Sequence, residues 1–144
     1  MWNLMARLKR QDSMVMKALE LAERLHDGQK DKQGEDYLKH ACRVGLAGET
    51  KEEMIVGLLH GLLEDTTATV ETLIEAEFPD EVISAIVALT RLRSETYAAY
   101  IKRVSKVPLA VVVKRNDIAD NLSRENGQYP SLRKRYESAL EAMR

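Results

Sequence analysis

Polar residues standing where an apolar helix would be expected to carry only leucine and valine are the first chemistry this sequence offers. In MIVGLLHGLLEDT, His60 and Glu64 lie four positions apart and share a helical face, with Asp65 directly after them. In LAVVVKRNDIADNL, Lys114, Asp117 and Asn121 stand three and four apart and form one polar stripe beside Val111, Val112 and Val113. A carboxylate buried there without partners is either costly or protonated, so Asp117 must meet a cation, a metal ion or hydrogen-bond donors. Placing it near His60 and His40 satisfies all three requirements.

Each of these residues also has a plainer reading. A lone histidine on an apolar helix is more often a hydrogen-bonded core residue than a ligand. Glu64 and Asp65 can be polar residues ahead of a threonine-rich cap, and Lys32 and Lys39 belong to a mixed-charge loop where solvated lysines are the default. Lys102, Arg103 and Lys106, like Arg133, Lys134 and Arg135, read as solvated helix faces with acidic neighbours. His26 reads as a helix-end residue and Cys42 as a small packing residue. The methionines and tyrosines at helical spacing read as core.

The elements that must hold these groups are helical. Seven Gly and three Pro in 144 residues leave little strand punctuation, and the apolar spacing is three and four rather than two. An all-α bundle of about eight helices is predicted. The first long helix runs from about Ser13 to His26, and the second from Tyr37 to near Gly48, after the polar loop DGQKDKQGED. A third starts at Thr50, which has capping-box spacing to Glu53, and carries the buried run through His60 to Glu64. Thr69 opens a fourth through Phe78, Pro79 a fifth, Ser94 a sixth to Lys106, Pro108 a seventh and Pro130 an eighth to Arg144.

Composition narrows the function classes. Twenty-two Lys+Arg against 23 Asp+Glu leave a net charge of −1, which argues against electrostatic wrapping of DNA or RNA. One cysteine excludes a disulfide framework and a cysteine-rich zinc finger. No apolar run approaches the roughly 20 residues that span a bilayer, and MWNLMARLKRQDS lacks a signal-peptide pattern. The expectation is one domain over residues 1–144, cytoplasmic, with no DNA or membrane partner and with a helix-mediated dimer left open.

The segments YLKH, LLHGLLEDT and KRNDIADNL also resemble, in order and spacing, the HD-domain phosphohydrolases, specifically the RelA/SpoT-type hydrolase domain and its small stand-alone relatives. The resemblance runs from about Met16 to Met143. It implies a helical bundle holding one divalent metal, usually Mn²⁺, that removes pyrophosphate from the 3′ position of the alarmone ppGpp. Carried over position by position, it makes His40, His60 and Asp117 the metal ligands, Glu64 and Asp65 the acidic pair that positions and activates water, and Lys32 and Asn121 nucleotide contacts. Lys114 joins Lys32 as a candidate phosphate holder. Four positions depart from the pattern. Gly61 replaces the aspartate that gives the HD motif its name, Asp31 replaces the arginine that packs on guanine, Asp36 replaces a proline, and Asp120 replaces a histidine. Two imidazoles and one carboxylate still suit Mn, Fe or Zn with open positions. Asp31 is expected to repel a polyphosphate nearby, which puts guanosine selectivity in question. The resemblance implies a metal-dependent phosphohydrolase acting on a nucleotide. The competing reading, prompted by Gly61 and Asp31, is an impaired relative that keeps the pocket and binds a nucleotide or a protein without turnover.

Overall fold

The computed structural model describes residues 2–124 and 130–144, and among them the regular secondary structure is helical throughout. In chain order the helices are α1 (Trp2–Lys9), α2 (Ser13–Leu25), α3 (Tyr37–Ala47), α4 (Lys51–Leu59), α5 (Leu62–Asp65), α6 (Val70–Glu75), α7 (Asp80–Ala88), α8 (Tyr97–Val104), α9 (Pro108–Arg124) and α10 (Pro130–Ala142). The predicted all-α class holds. No helix among the described residues is long and apolar enough to cross a membrane.

Local chemistry sets most boundaries. Asp12 Oδ1 accepts from Met14 N at 2.7 Å and starts α2, while the Thr50 hydroxyl accepts from Glu53 N at 3.1 Å and starts α4. The Glu53 carboxylate reaches Glu49 N rather than Thr50 N, one residue beyond the capping-box geometry. Four features differ from the expectation. Thr96, not Ser94, caps α8, its hydroxyl accepting from Ala99 N at 3.1 Å. The helix from Thr69 ends at Glu75 rather than Phe78, and α1 forms where no helix was predicted, docking through the fully buried Leu8.

The fourth bears on the site. The helix expected to run from Thr50 through Glu64 ends at Leu59, and α5 resumes at Leu62. The His60 ring explains the break: Nδ1 donates to the Gly57 carbonyl at 2.6 Å, the acceptor that an unbroken helix would offer to the amide of residue 61. The break leaves His60 and Gly61 as a short corner from which both can face a cavity.

α4 lies at the centre of the bundle, with Ile55 to Leu59 all buried, and packs on α2, α3, α7 and α9. Its approach to α3 is close because two glycines meet: a Cβ on Gly57 would stand 2.9 Å from Gly45 Cα and 2.9 Å from the Val44 carbonyl oxygen. A larger residue at either position would separate the helices that carry His40 and His60. The apolar core of α2, α4, α7 and α9 surrounds this crossing, and Cys42 is a fully buried part of it, its thiol pushed up to about 12 by burial.

Candidate functional site

His40 on α3, His60 at the corner after α4 and Asp117 on α9 converge, with their ligating atoms all within 4.8 Å of one another and all three side chains buried. Asp117 is the hub. Its Oδ1 accepts from His40 Nε2 at 2.9 Å and from Asn121 Nδ2 at 3.3 Å and lies 3.4 Å from His60 Nε2, and its Oδ2 accepts from Lys114 Nζ at 2.9 Å. Burial alone would raise the Asp117 carboxyl, but Lys114 and the two histidines outweigh it and hold the group well below the usual carboxylate range. The carboxylate therefore meets the cations and donors that its sequence context demanded.

The two imidazoles are held differently. A carbonyl oxygen can only accept, so the bond to Gly57 places a proton on His60 Nδ1 and turns Nε2 toward Asp117. His40 lies between two carboxylates, Nε2 on Asp117 and Nδ1 on Asp120 at 2.6 Å. Burial disfavours its charge, yet the two carboxylates prevail and lift it to about 9. Asp120 is itself gripped by Arg43, at 2.7 Å from Nε and 3.3 Å from Nη2, and by Arg124 Nε at 3.3 Å, and despite burial it falls to about 2. The residue that departs from the family pattern at 120 thus backs His40 as an anchored carboxylate, the arrangement that orients a ligating histidine in metal sites.

The donor set fits a divalent ion of the Mn, Fe or Zn kind. It offers two imidazoles whose Nε2 atoms face Asp117 and whose Nδ1 atoms are held by a carbonyl and a carboxylate, so that an ion taking the place of the Nε2 protons would find two nitrogens and the Asp117 carboxylate. His40, His60 and Asp117 are the residues that would hold such an ion.

A cavity of about 360 Å³ opens over this cluster, and Lys32, Glu64, Asp65, Lys114 and Asn121 line it together with the two histidines and Asp117. All eight sequence-predicted site residues therefore border one space. Glu64 Oε1 accepts from the Arg91 amide at 2.5 Å, and burial raises the Glu64 carboxyl despite that bond. Asp65 is also raised by burial, against the pull of His26 and His60, and its carboxyl has no hydrogen bond among the described residues. Two carboxyls with raised pKa beside a cationic cluster are suited to proton transfer. Lys32 is exposed on the rim and makes no ion pair among the described residues. Lys114 is buried, its Nζ 5.1 Å from the Tyr100 ring centroid and 5.9 Å from that of Tyr97. Burial opposes its charge, but Asp117 overcomes this and raises it.

Several lining residues escaped the sequence reading. Four of the chain's five tyrosines, Tyr37, Tyr97, Tyr100 and Tyr136, border the cavity. Tyr100 does behave as core, its hydroxyl donating to the Leu89 carbonyl at 2.8 Å, but the buried Tyr97 hydroxyl has no hydrogen-bond partner among the described residues. Their spacing of three reads, in sequence alone, as packing. Arg91 and Arg124 also line the cavity. Arg124 Nη1 donates to Asp31 at 2.8 Å and Glu35 at 3.0 Å, tying the loop before α3 to the end of α9. Asp31 also accepts the amides of Gln33 and Glu35, so burial notwithstanding it is lowered, and its charge is matched by Arg124 rather than left to repel phosphate as expected. His26, expected as a plain helix-end residue, caps α2 and is buried, its Nδ1 2.7 Å from Gln29 Oε1 and its ring 4.5 Å from that of Tyr37.

Comparison with known proteins places the chain among relatives. The HD domain model matches residues 18–134. The guanosine-3′,5′-bis(diphosphate) 3′-pyrophosphohydrolase of Borreliella burgdorferi is 39% identical over 82 residues, 54% of this chain and 12% of that protein. The protein of the same name from Aquifex aeolicus is 31% identical over 120 residues, 75% of this chain and 17% of that one. A GTP pyrophosphokinase of Myxococcus xanthus is 36% identical over 97 residues, 65% and 13%. The chain thus matches less than a fifth of the length of each of these relatives. A solved structure described as a metazoan ortholog of SpoT that hydrolyzes ppGpp superposes with a TM-score of 0.73 at 23% identity, covering 92% of this chain and 84% of that one, and shares the fold.

Proposed function

Because the chain belongs to the HD-domain family, we propose that it is a metal-dependent phosphohydrolase acting on a nucleotide, with removal of the 3′-pyrophosphate from a guanosine polyphosphate of the ppGpp type as its reaction. The observation that carries this is the convergence of His40, His60 and Asp117 under a cavity that Glu64, Asp65, Lys32 and Asn121 also border. Mn²⁺ is the proposed ion, and when bound it supplies positive charge that polarises a phosphoryl oxygen and acidifies water.

The remaining work falls to the chain's own residues. Glu64 or Asp65, each raised by burial, takes the proton of water as its oxygen adds to the phosphorus attached at O3′. The O3′–P bond breaks, pyrophosphate leaves carrying the oxygen of that water, and the 3′ oxygen ends with the proton that the carboxylate had taken, which restores the carboxylate. Lys32 and Lys114 meet the phosphate charge, and Asn121, already bonded to Asp117, borders the nucleotide. The names of the Borreliella and Aquifex relatives support the substrate class.

The test is pyrophosphate release from ppGpp by metal-stripped protein with and without added Mn²⁺. Turnover that requires Mn²⁺ and is lost in His60→Ala supports the reading, whereas an inert wild-type protein overturns it. A second reading, a pocket that binds a nucleotide or a protein without turnover, is favoured by Gly61, which removes one ligand carboxylate. It predicts retained ppGpp binding with no product.

A further inference from the structure

Gly61 does not leave a hole. A Cβ built on it would lie 2.1 Å from the Tyr37 hydroxyl oxygen, 3.0 Å from Tyr37 Cζ and 3.2 Å from Asp65 Oδ2. The phenol of Tyr37 therefore occupies the volume where the side chain of residue 61 would begin. Tyr37 is the first residue of α3 and its amide donates to the Gln29 carbonyl at 2.9 Å, so the backbone is fixed. The ring lies 4.5 Å from His26, 5.5 Å from His40 and 6.5 Å from His60, between centroids, so it is held from several sides. Tyr37 lines the cavity, and its hydroxyl has no hydrogen-bond partner among the described residues. Burial and the nearby carboxylates of Asp117, Asp65 and Glu64 keep the phenol neutral.

We propose that the Tyr37 hydroxyl takes the place of the absent carboxylate at residue 61, as the oxygen that completes the cation site of His40, His60 and Asp117. The inference rests on the metal-dependent reading above and deepens it. A glycine at 61 and a tyrosine at 37 form one unit: any side chain at 61 displaces the hydroxyl, and only glycine admits it. The exchange keeps an oxygen in place and removes one negative charge. The site then binds a divalent ion less tightly than a two-carboxylate site and leaves more positive charge facing an anionic substrate.

The interlock makes a test that does not depend on turnover. Mn²⁺ binding is measured by calorimetry on metal-stripped wild type, Tyr37→Phe, Gly61→Ala, the double variant Tyr37→Phe with Gly61→Ala, and Gly61→Asp alone and with Tyr37→Leu, with circular dichroism confirming helical content. Tyr37→Phe is expected to weaken binding tenfold or more, and Gly61→Ala by a similar factor because it expels the hydroxyl. The double variant is expected to be no weaker than either single one. Gly61→Asp alone gains no affinity, while Gly61→Asp with Tyr37→Leu, which clears the volume, binds more tightly than wild type. Tyr37→Phe binding as wild type does, or additive losses in the double variant, overturns the role of Tyr37 and leaves the metal site standing. A wild type that binds no Mn²⁺ overturns both readings, and in that case binding gained in Tyr37→Phe identifies the hydroxyl as an obstruction.

Discussion

Arg103 on α8 and Asp117 on α9 each sit at the centre of a cluster of charged and polar groups, and they are satisfied in opposite ways. Arg103 donates through Nε and Nη2 to the two Glu95 oxygens at 2.9 Å each, through Nη2 to the Thr90 carbonyl at 2.9 Å, and through Nη1 to the Ala88 and Val87 carbonyls at 3.1 and 3.5 Å. All five N–H groups end on acceptors from one loop and the end of α7, including carbonyls that a helix terminus leaves unpaired. Asp117 instead gathers groups from three separate elements, and around it stand two hydroxyls, of Tyr37 and Tyr97, and one cation, Lys32, that have no side-chain hydrogen-bond or ion-pair partner among the described residues. Saturation within the chain marks a structural clamp, whereas convergence with open valences around a cavity marks a place built to receive something. The sequence makes Arg103 look solvated and Asp117 look anomalous, and only the second impression survives.

The sharpest way to break the comparison is to remove each hub. Asp117→Ala leaves Lys114 and His40 buried without their shared counter-charge. Removing one member of a buried pair costs about 3 kcal/mol or more, so urea unfolding of the metal-free variant should show at least that loss, together with no measurable Mn²⁺ binding. A variant as stable as wild type would mean that water reaches the cluster and the charges are not truly desolvated.

Arg103→Met is the matching change at the clamp and should cost less. Hydrogen bonds to a charged group contribute about 1.5–3 kcal/mol net, and the methionine stem keeps the packing against Tyr100, so a loss of about 2 kcal/mol is expected. Mn²⁺ affinity should stay within about twofold of wild type. Turnover should fall, because the clamp fixes the segment whose Arg91 amide holds Glu64. A large loss of metal affinity would show that the two clusters are coupled.

The difference between the clusters also explains how much was legible in the residues alone. Asp117, His40 and His60 were readable together because a carboxylate among valines requires partners, and a chain with three histidines has few to offer. The all-α class was readable from periodicity. What could not be read are contacts that depend on a rotamer or a corner. His60 breaks its own helix by bonding Gly57, a long apolar run conceals that break, and the exchange of Gly61 for Tyr37 appears only when α3 lies against α4. Arg103 was misread because its partners lie 8 to 16 positions back and are mostly carbonyls, which carry no residue identity. Ser94 and Thr96 are equally good caps, and the choice falls to where Tyr100 and Ile101 must be buried.

Asp120 joins features of both clusters, since it is saturated by two arginines yet hydrogen-bonded to a proposed ligand. Asp120→Asn keeps the shape and removes the charge behind His40. Changes of this kind in metal sites cost about 10- to 100-fold in affinity, and the lower end is expected because Arg43 and Arg124 already offset part of the charge. Calorimetric titration with Mn²⁺ measures it. An unchanged affinity would assign Asp120 to holding the loop through Arg124 and nothing more.

The smallest effect expected is on the pH response of the clamp. Hydrogen bonds from Arg103, and then from the Leu92 amide, hold the Glu95 carboxyl at about 2 against its ordinary 4.5. A carboxyl lowered by folding stabilises the native state above its unfolded pKa and ceases to do so as pH falls through the folded one. The contribution of Glu95 should therefore be complete above about 4.5 and fade toward about 2. Urea midpoints of wild type and Glu95→Gln, measured from neutral pH downward, should differ by a constant amount at the upper end and converge in that window. Curves that stay parallel to the lowest pH would mean that the clamp is held by its carbonyl bonds alone, with the ion pair adding nothing to saturation.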